Sequence, residues 1–543
     1  MSAGDTVRIA AFDQPATCDP HAAYDSTSRH VVLNVYEPLV RLRRGDLRPV
    51  PHLASAFAVD GRTARFEIRR GVRDHSGAEI GAADVEYSLR RALITAAGPF
   101  ALWAELLLGA RLSEPEPAAV ADAMGRIRAD GGAVTLHLAE PFPAVLAVAA
   151  GWSLVLRREW ARAAGEWDGD PATFERWLVP PETALRRRTN GTGPYRLAGW
   201  DESTGQVSFA RHDGHWSGAD LPANVVIVSE PDRVARECSL VEGRADFAVC
   251  QPESMERIAG AHDVVVEDVA DEWHVNPIGF VTQDLAPDRD AVGTGDFGRD
   301  GIRADALRDR DLRAALALCV DHERFEREAL GHAGLRHFGL FPRPSLPGGP
   351  LPELRFDLDA ARAHLDRAWG GEVARRGCLI RVVTHRANYA RERAAELLAE
   401  GFNRLRDGCR IEVEAVELPA LLDRLYGGRA PVAIVGWDAD YCHPYTFVAQ
   451  LLAPDALLPS RTGLRDPAIA ALADRAKRAA SPADPVYREI AAYAIDNHTH
   501  LFFPGKVSLL AYRDRWQGVQ GVPGVANVLD FASFRPRAPL PAR

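Results

Sequence analysis

Between residues 357 and 435 the sequence alternates between two periodicities. Apolar positions recur at helical spacing from Asp357 to Trp369, a strand-like run follows from Leu379 to Thr384, a second helical stretch spans Glu392 to Leu405, and further strand runs cover Ile411 to Val416 and Pro431 to Val435. Parallel strands cannot be joined by a tight turn. They need a long crossover, usually a helix, so this alternation predicts βαβ units and an α/β fold. The last run ends at Gly436 and leads into Trp437-Asp438-Ala439-Asp440-Tyr441-Cys442-His443-Pro444-Tyr445. In open α/β sheets, ligands sit at the C-terminal ends of the strands. The stretch therefore brings one large flat side chain and several carboxylates to a place where binding happens. On the residues alone it reads equally as a strand-to-helix turn with a core Trp and a capping Asp.

A chain of 543 residues exceeds what one core serves, so two or three domains are expected. The formal net charge of −10 argues against nucleic acid or an acidic membrane as partner. No apolar run approaches the roughly 20 residues needed to span a bilayer. Met1-Ser2-Ala3-Gly4-Asp5-Thr6 leads directly into a strand-like run, Val7 to Phe12, with none of the basic, apolar and cleavage features of a leader. The expectation is a choice: extracytoplasmic if a leader was removed, cytoplasmic if the sequence is complete as given. Seven cysteines (Cys18, Cys238, Cys250, Cys319, Cys378, Cys409, Cys442) are scattered without CxxC spacing, so neither a zinc site nor a disulfide framework is signalled. So many thiols suit a reducing compartment.

Other segments carry turn and cap signals. Asp19-Pro20 precedes a helical pattern from about Ser28 that ends at Tyr36-Glu37-Pro38, where Pro38 cannot donate the next backbone bond. Strand residues Ala64 to Arg69 lead through Gly71-Val72-Arg73-Asp74-His75-Ser76-Gly77 to Gly81-Ala82-Ala83-Asp84-Val85, with Gly81 at an N-cap and Asp84 placed to reach back. A strand run from Ala133 to Leu138 precedes Glu140-Pro141-Phe142-Pro143, and Asn190-Gly191-Thr192-Gly193-Pro194-Tyr195 reads as a tight turn set by its glycines and proline. Leu312 to Leu318 reads as a helix. Residues 281–305 read as a loop, Arg343 to Pro352 as a Pro/Gly-rich link, and 466–479 and 485–496 as helices.

Taken in this order, the segments resemble family 5 of the extracytoplasmic solute-binding proteins, which serve peptide-type ABC importers. The resemblance implies a periplasmic-binding-protein-like class II fold, α/β, with two lobes, a hinge and a smaller extra domain. It places one lobe at 1–41, 189–275 and 500–543, the extra domain at 42–188 and the other lobe at 276–499. The implied function is binding of a small peptide or peptide-like amine in an interlobe cleft for an importer permease, by a monomer. The alternative is a leaderless cytoplasmic homologue used as a metabolite sensor or biosynthetic enzyme.

Implied ligand-binding residues are Asp440, which meets the ligand's ammonium, with Trp437, Tyr441, Tyr36 and Asp438. Oligopeptide-binding relatives place an Arg three positions before the Trp to meet a peptide carboxylate. Here that position is Ile434, so another Arg or another ligand is required. No nucleophile elbow, HExxH, P-loop or GxGxxG after a strand is present. The spacing of His498 and His500 does not put both rings on one helix face. No catalytic residue, cofactor or metal is therefore expected.

Overall fold

A computed structural model of the chain describes residues 6–95, 98–110, 112, 115–178, 183–218, 221–250, 254, 258, 260–268, 273–330, 339–342, 351–386, 388–479, 481–505, 509–525 and 528–537. The chain divides into two compact units: residues 1–272, 440–442 and 508–543, and residues 273–439 and 443–507.

The first unit is built on a seven-stranded mixed sheet, in the order Val264–Asp268, Leu509–Arg513, Phe247–Cys250, Thr6–Ala11, Asn224–Ser229, Gln206–Arg211, Tyr195–Asp201. Thr6–Ala11 lies parallel to both neighbours, and the remaining pairs are antiparallel. Ala10, Leu240, Ala248, Cys250 and Ala511 form part of its core. A second, antiparallel sheet runs in the order Ala54–Asp60, Thr63–Ile68, Ala133–His137, Ile127–Asp130. The helix Ala82–Ala92 starts as its cap residues imply, with the Gly81 backbone N–H donating to Asp84 Oδ2 at 2.9 Å. From that helix Arg91 forks onto Asp19 at 2.7 and 2.6 Å and reaches Glu166 at 2.8 Å, all three buried. A bidentate guanidinium–carboxylate pair is among the strong, geometrically specific contacts, and it ties the Asp19-Pro20 segment to the second sheet.

The helix Ser26–Val35 opens on Asp25, whose carboxylate accepts from the Ser28 N–H at 2.8 Å. Its other end explains the Gly-Thr-Gly turn. A Cβ on Gly191 would lie 2.0 Å from the Val35 carbonyl oxygen, and one on Gly193 2.7 Å from it, while Gly193 N donates to that oxygen at 2.9 Å. Neither glycine has positive φ. The turn needs glycine because two backbones meet there, a reason different from the turn conformation expected from sequence.

The second unit holds a five-stranded sheet in the order Cys409–Val416, Cys378–His385, Val432–Asp438, His274–Val281, His500–Phe502. The first three strands are parallel, as the alternating pattern predicts, and the last two pair antiparallel. Helices Leu358–Arg376 and Tyr389–Phe402 supply apolar faces to its core, including Leu365, Leu398 and Phe402 against Ile380, Val432 and Ile434. The first of these helices leaves helical geometry from Ala368 to Gly371. Residues 281–305 are not a plain loop. They contain a short helix, Arg289–Val292, and a strand, Gly293–Gly298, that folds back on Gly301. Most of the Pro/Gly-rich link, residues 343–350, lies outside the described residues.

Candidate functional site

Asp440 belongs to the first unit, and two aromatic side chains hold it there. The Tyr24 hydroxyl donates to Asp440 Oδ1 at 2.5 Å, and Trp152 Nε1 donates to the Asp440 backbone oxygen at 2.6 Å. The two rings stack on each other, with centroids 5.8 Å apart and planes at 28°. Trp152 ends the apolar helix Val145–Trp152, and Tyr24 stands just before the helix Ser26–Val35. That second helix also carries Arg29, whose guanidinium carbon lies 3.9 Å from the centre of the Trp152 ring. Arg29 Nη2 donates to the Gly151 carbonyl at 3.4 Å, and the side chain is buried at 6% exposure. Burial pushes the Arg29 pKa down to about 10, against the opposing pull of Tyr24, Asp440 and Asp25. An arginine this far from water stays charged because anionic and aromatic groups surround it.

Asp440 and Gly151 border a cavity of about 50 Å³ that Leu33, Arg41, Ala147, Tyr441 and Cys442 also line; Tyr24, Arg29 and Trp152 stand behind Asp440 and are not among its lining residues. One water needs roughly 10–15 Å³ on this measure, so the cavity has room for a polar head group. Tyr441 is 3% exposed and meets the Phe142 ring edge-on at 6.4 Å. The Cys442 thiol packs against the backbone of Gly524, where a Cβ would lie only 2.3 Å from the sulfur.

The five residues singled out from sequence separate. Asp440 and Tyr441 line the cavity, with Asp440 half-buried. Tyr36 is fully buried against Gly191 and is not among the cavity's lining residues; burial raises its pKa well above that of an ordinary phenol. Trp437 and Asp438 lie at the end of the second unit's strand Val432–Asp438, paired with Val275 and His274. Trp437 is half-buried, and its Nε1 has no partner among the described residues. The strand does not stop at Gly436 but continues to Asp438, and the Ala439 N–H then donates to the Trp273 carbonyl at 2.8 Å. Gly436 is small for another reason: a Cβ there would lie 2.5 Å from Arg391 Nη2 and 2.9 Å from Asn276 Oδ1. Arg391 Nε donates to that Asn276 oxygen at 3.0 Å. Burial lowers the Arg391 pKa to about 10, with Asp438 opposing. Ile434 is wholly buried in the second unit's core, so this position serves packing.

Sequence reasoning missed Tyr24, Arg29, Trp152 and Arg391. One signal was legible. Arg29 is the lone arginine among Val31, Val32, Leu33 and Val35 on a mostly buried helix, and a charge on such a face needs a partner. Beyond the cavity, Glu37 next to Tyr36 is fully buried and accepts from His52 Nε2 at 2.8 Å, His215 Nε2 at 3.1 Å and Trp216 Nε1 at 3.0 Å. Burial alone would raise its pKa, but the bonds from His215 and His52 hold it well below the carboxylate range.

Residues 48–457 match the profile of the bacterial extracellular solute-binding proteins, family 5 middle region. Protein XP55 of Streptomyces lividans is 25% identical over 541 residues, which cover 95% of this chain and 86% of that protein. The glutathione-binding protein GsiB of Salmonella choleraesuis is 27% identical over 258 residues, 46% of this chain and 42% of GsiB. Among solved structures, the ABC transporter-associated periplasmic binding protein DppA from Helicobacter pylori, in complex with the peptide STSA, shares the fold with a TM-score of 0.75 at 17% identity, covering 98% of each chain. The α/β fold is thus that of the periplasmic peptide-binding proteins across the whole chain, and the chain belongs to family 5 of the bacterial extracellular solute-binding proteins of ABC transporters.

Proposed function

We propose that this protein captures a small peptide or peptide-like amine through Asp440 and delivers it to an ABC importer. The observation that carries the reading is the half-buried Asp440 carboxylate at a cavity wall, fixed by Tyr24 and Trp152. An ionised carboxylate accepts at about four lone-pair sites, so it can pair with a ligand ammonium while accepting from the Tyr24 hydroxyl. A charge-assisted bond of this kind is roughly twice as strong as a neutral one. The peptide held by the Helicobacter pylori protein and the glutathione named for GsiB are both amine-bearing peptides, which supports this ligand class.

Export fits the cysteines better than their number suggests. All seven are free thiols and six are buried. Burial pushes Cys18 and Cys250 up to about 12. The thiolate is the reactive form, so these two thiols resist oxidation. We place the protein outside the cytoplasm on its family.

Native mass spectrometry of the purified protein is expected to find a co-purified amino compound or short peptide. Calorimetric titration with a panel of free-amine peptides and their N-acetylated forms is then expected to give binding for the free amines alone. Equal binding of both forms would overturn the amine reading.

A further inference from the structure

We propose that Cys378 and Cys409 form a reversible disulfide that ties two neighbouring parallel strands of the second unit together at their N-terminal ends. Neither residue lines the cavity at Asp440.

Strand register brings the two thiols together. Cys378 opens the strand Cys378–His385 and Cys409 opens Cys409–Val416, and the two are direct partners in the parallel ladder. Neighbouring strands lie about 4.7–4.9 Å apart, and a disulfide spans Cα atoms about 4.4–6.8 Å apart. Register partners point to one face of a sheet, and both side chains enter the same apolar core, at 0% and 3% exposure. The Cys378 thiol donates to the Cys409 sulfur, and Cys409 Sγ donates on to the Val373 carbonyl at 3.7 Å.

The backbone directly before each cysteine holds this approach. Gly377 and Gly408 both take a φ of +86°, and a Cβ on Gly377 would fall 2.3 Å from the Gly408 carbonyl oxygen. That oxygen accepts from the Cys378 N–H at 3.0 Å. Glycine adopts positive φ at no steric cost, so the two turns can close on each other.

The pair is also unequal, as thiol–disulfide exchange needs. The bond from Cys378 holds the Cys409 thiol below its ordinary pKa against the effect of burial, with the Arg406 guanidinium helping. Cys18 and Cys250, by contrast, are pushed up to about 12. The thiolate is the nucleophile, so Cys409 is the attacking sulfur. It follows a turn in which Arg406 and Asp407 are exposed, and local opening at such a strand end admits a small reagent.

The oxidant is a small disulfide, the class of reagent that an oxidising compartment holds. The Cys409 thiolate attacks one of its sulfurs, forming a mixed disulfide as one thiolate leaves. The Cys378 sulfur then attacks the Cys409 sulfur, and the second thiolate leaves as the protein's own bond closes. The reagent ends as two thiols, which take up the two protons that the cysteines lose. Cβ atoms of register partners sit near the strand spacing, wider than the roughly 3.8 Å of a disulfide, so the closed bond is strained. Strained disulfides are the readily reduced ones.

The purified protein is treated with bis(2-hydroxyethyl) disulfide, which has neither amine nor carboxylate, then its remaining thiols are blocked and it is digested with trypsin. Cleavage after arginine releases residues 377–381 and 407–410 as short peptides with one cysteine each. Mass spectrometry is expected to find these two peptides joined, and the free thiols to fall by two from seven. Excess 2-mercaptoethanol added to the folded, oxidised protein should restore all seven. Cys378→Ser should stop the reaction at a mixed disulfide on Cys409, while the wild-type result stands without any variant. Seven thiols after treatment, a mixed disulfide that persists on wild-type Cys409, or joining of a different pair overturns the pairing. A joined pair that resists excess 2-mercaptoethanol overturns its reversibility.

Discussion

The Tyr24 hydroxyl donates to the Asp440 carboxylate across 416 residues of chain, at 2.5 Å. The contact decides what a charge-removing substitution tests. In Asp440→Asn the amide oxygen still accepts from Tyr24, and the backbone oxygen still accepts from Trp152, so the local structure is kept while the negative charge is lost. Breaking a hydrogen-bonded charge pair costs on the order of 2–5 kcal/mol, so affinity for an amine-bearing ligand should fall at least ~30-fold. The melting midpoint should fall only modestly, because Tyr24 and Asp25 still oppose the desolvation of Arg29 when the Asp440 charge is gone. Calorimetric titration and a thermal melt of the two proteins check both halves, and unchanged affinity would reduce Asp440 to a structural turn residue.

Trp152 is expected to act through Asp440. Trp152→Phe keeps a ring for Tyr24 and Arg29 to lie against but removes the Nε1–H that meets the Asp440 backbone oxygen at 2.6 Å. Losing one partner of a buried bond costs about 1–3 kcal/mol. The expected result is a lower melting midpoint together with ligand affinity reduced less than in Asp440→Asn. A larger affinity loss than that would give Trp152 direct ligand contact.

The fold was largely legible because its signals are local. Alternating periodicities gave the parallel strands around Cys378–His385, and Asp84 announced the cap of Ala82–Ala92. Of the candidate residues, Asp440 and Tyr441 line the cavity, and they stand in one stretch. Tyr24, Arg29 and Trp152 reach it from two helices far away in sequence, and nothing local in a sequence records such a meeting. The place of Tyr36, away from the cavity lining, was hidden for the same reason. Whether an aromatic ring faces a cavity or the backbone of Gly191 depends on what packs against it.

Close backbone approach makes Gly191 and Gly193 sensitive positions. A methyl at Gly191 would meet the Val35 carbonyl oxygen at 2.0 Å, and backbone cannot swing aside as a side chain can. Overpacking of this kind costs about 1–3 kcal/mol or more. Gly191→Ala should therefore lower the first unit's melting midpoint by at least ~2 °C. Gly199→Ala, where a Cβ meets nothing within 4 Å, serves as the control and should leave it unchanged. Equal effects at the two positions would refute the close-approach explanation.

Acid should loosen the first unit well before its carboxylates titrate. Burial lowers the pKa of His21, His30 and His75 to about 4, each with burial as the largest cause. His30 shows why in atomic terms. Leu529 N donates to His30 Nε2 at 3.0 Å, so that nitrogen accepts, and Nδ1 carries the proton toward the Ser26 carbonyl at 3.1 Å. A second proton on Nε2 would face the Leu529 N–H and destroy the bond. The sign follows from linkage. Between the unfolded value near 6.5 and the folded value near 4, the unfolded chain binds more protons, so stability is present above pH ~6.5 and falls as pH drops through that window, by up to ~1.4 kcal/mol per pH unit for each such histidine. Glu37 contributes in a separate window. Its folded pKa lies well below 4.5, so its stabilisation is lost only as the pH falls beneath that value. Thermal melts at pH 7, 6 and 5 should therefore show a steadily falling midpoint before any carboxylate effect begins. His30→Gln, which offers the same donor and acceptor without a titrating nitrogen, should flatten the slope. A midpoint constant from pH 7 to 5 would mean that these histidines reach water and titrate normally in the folded chain.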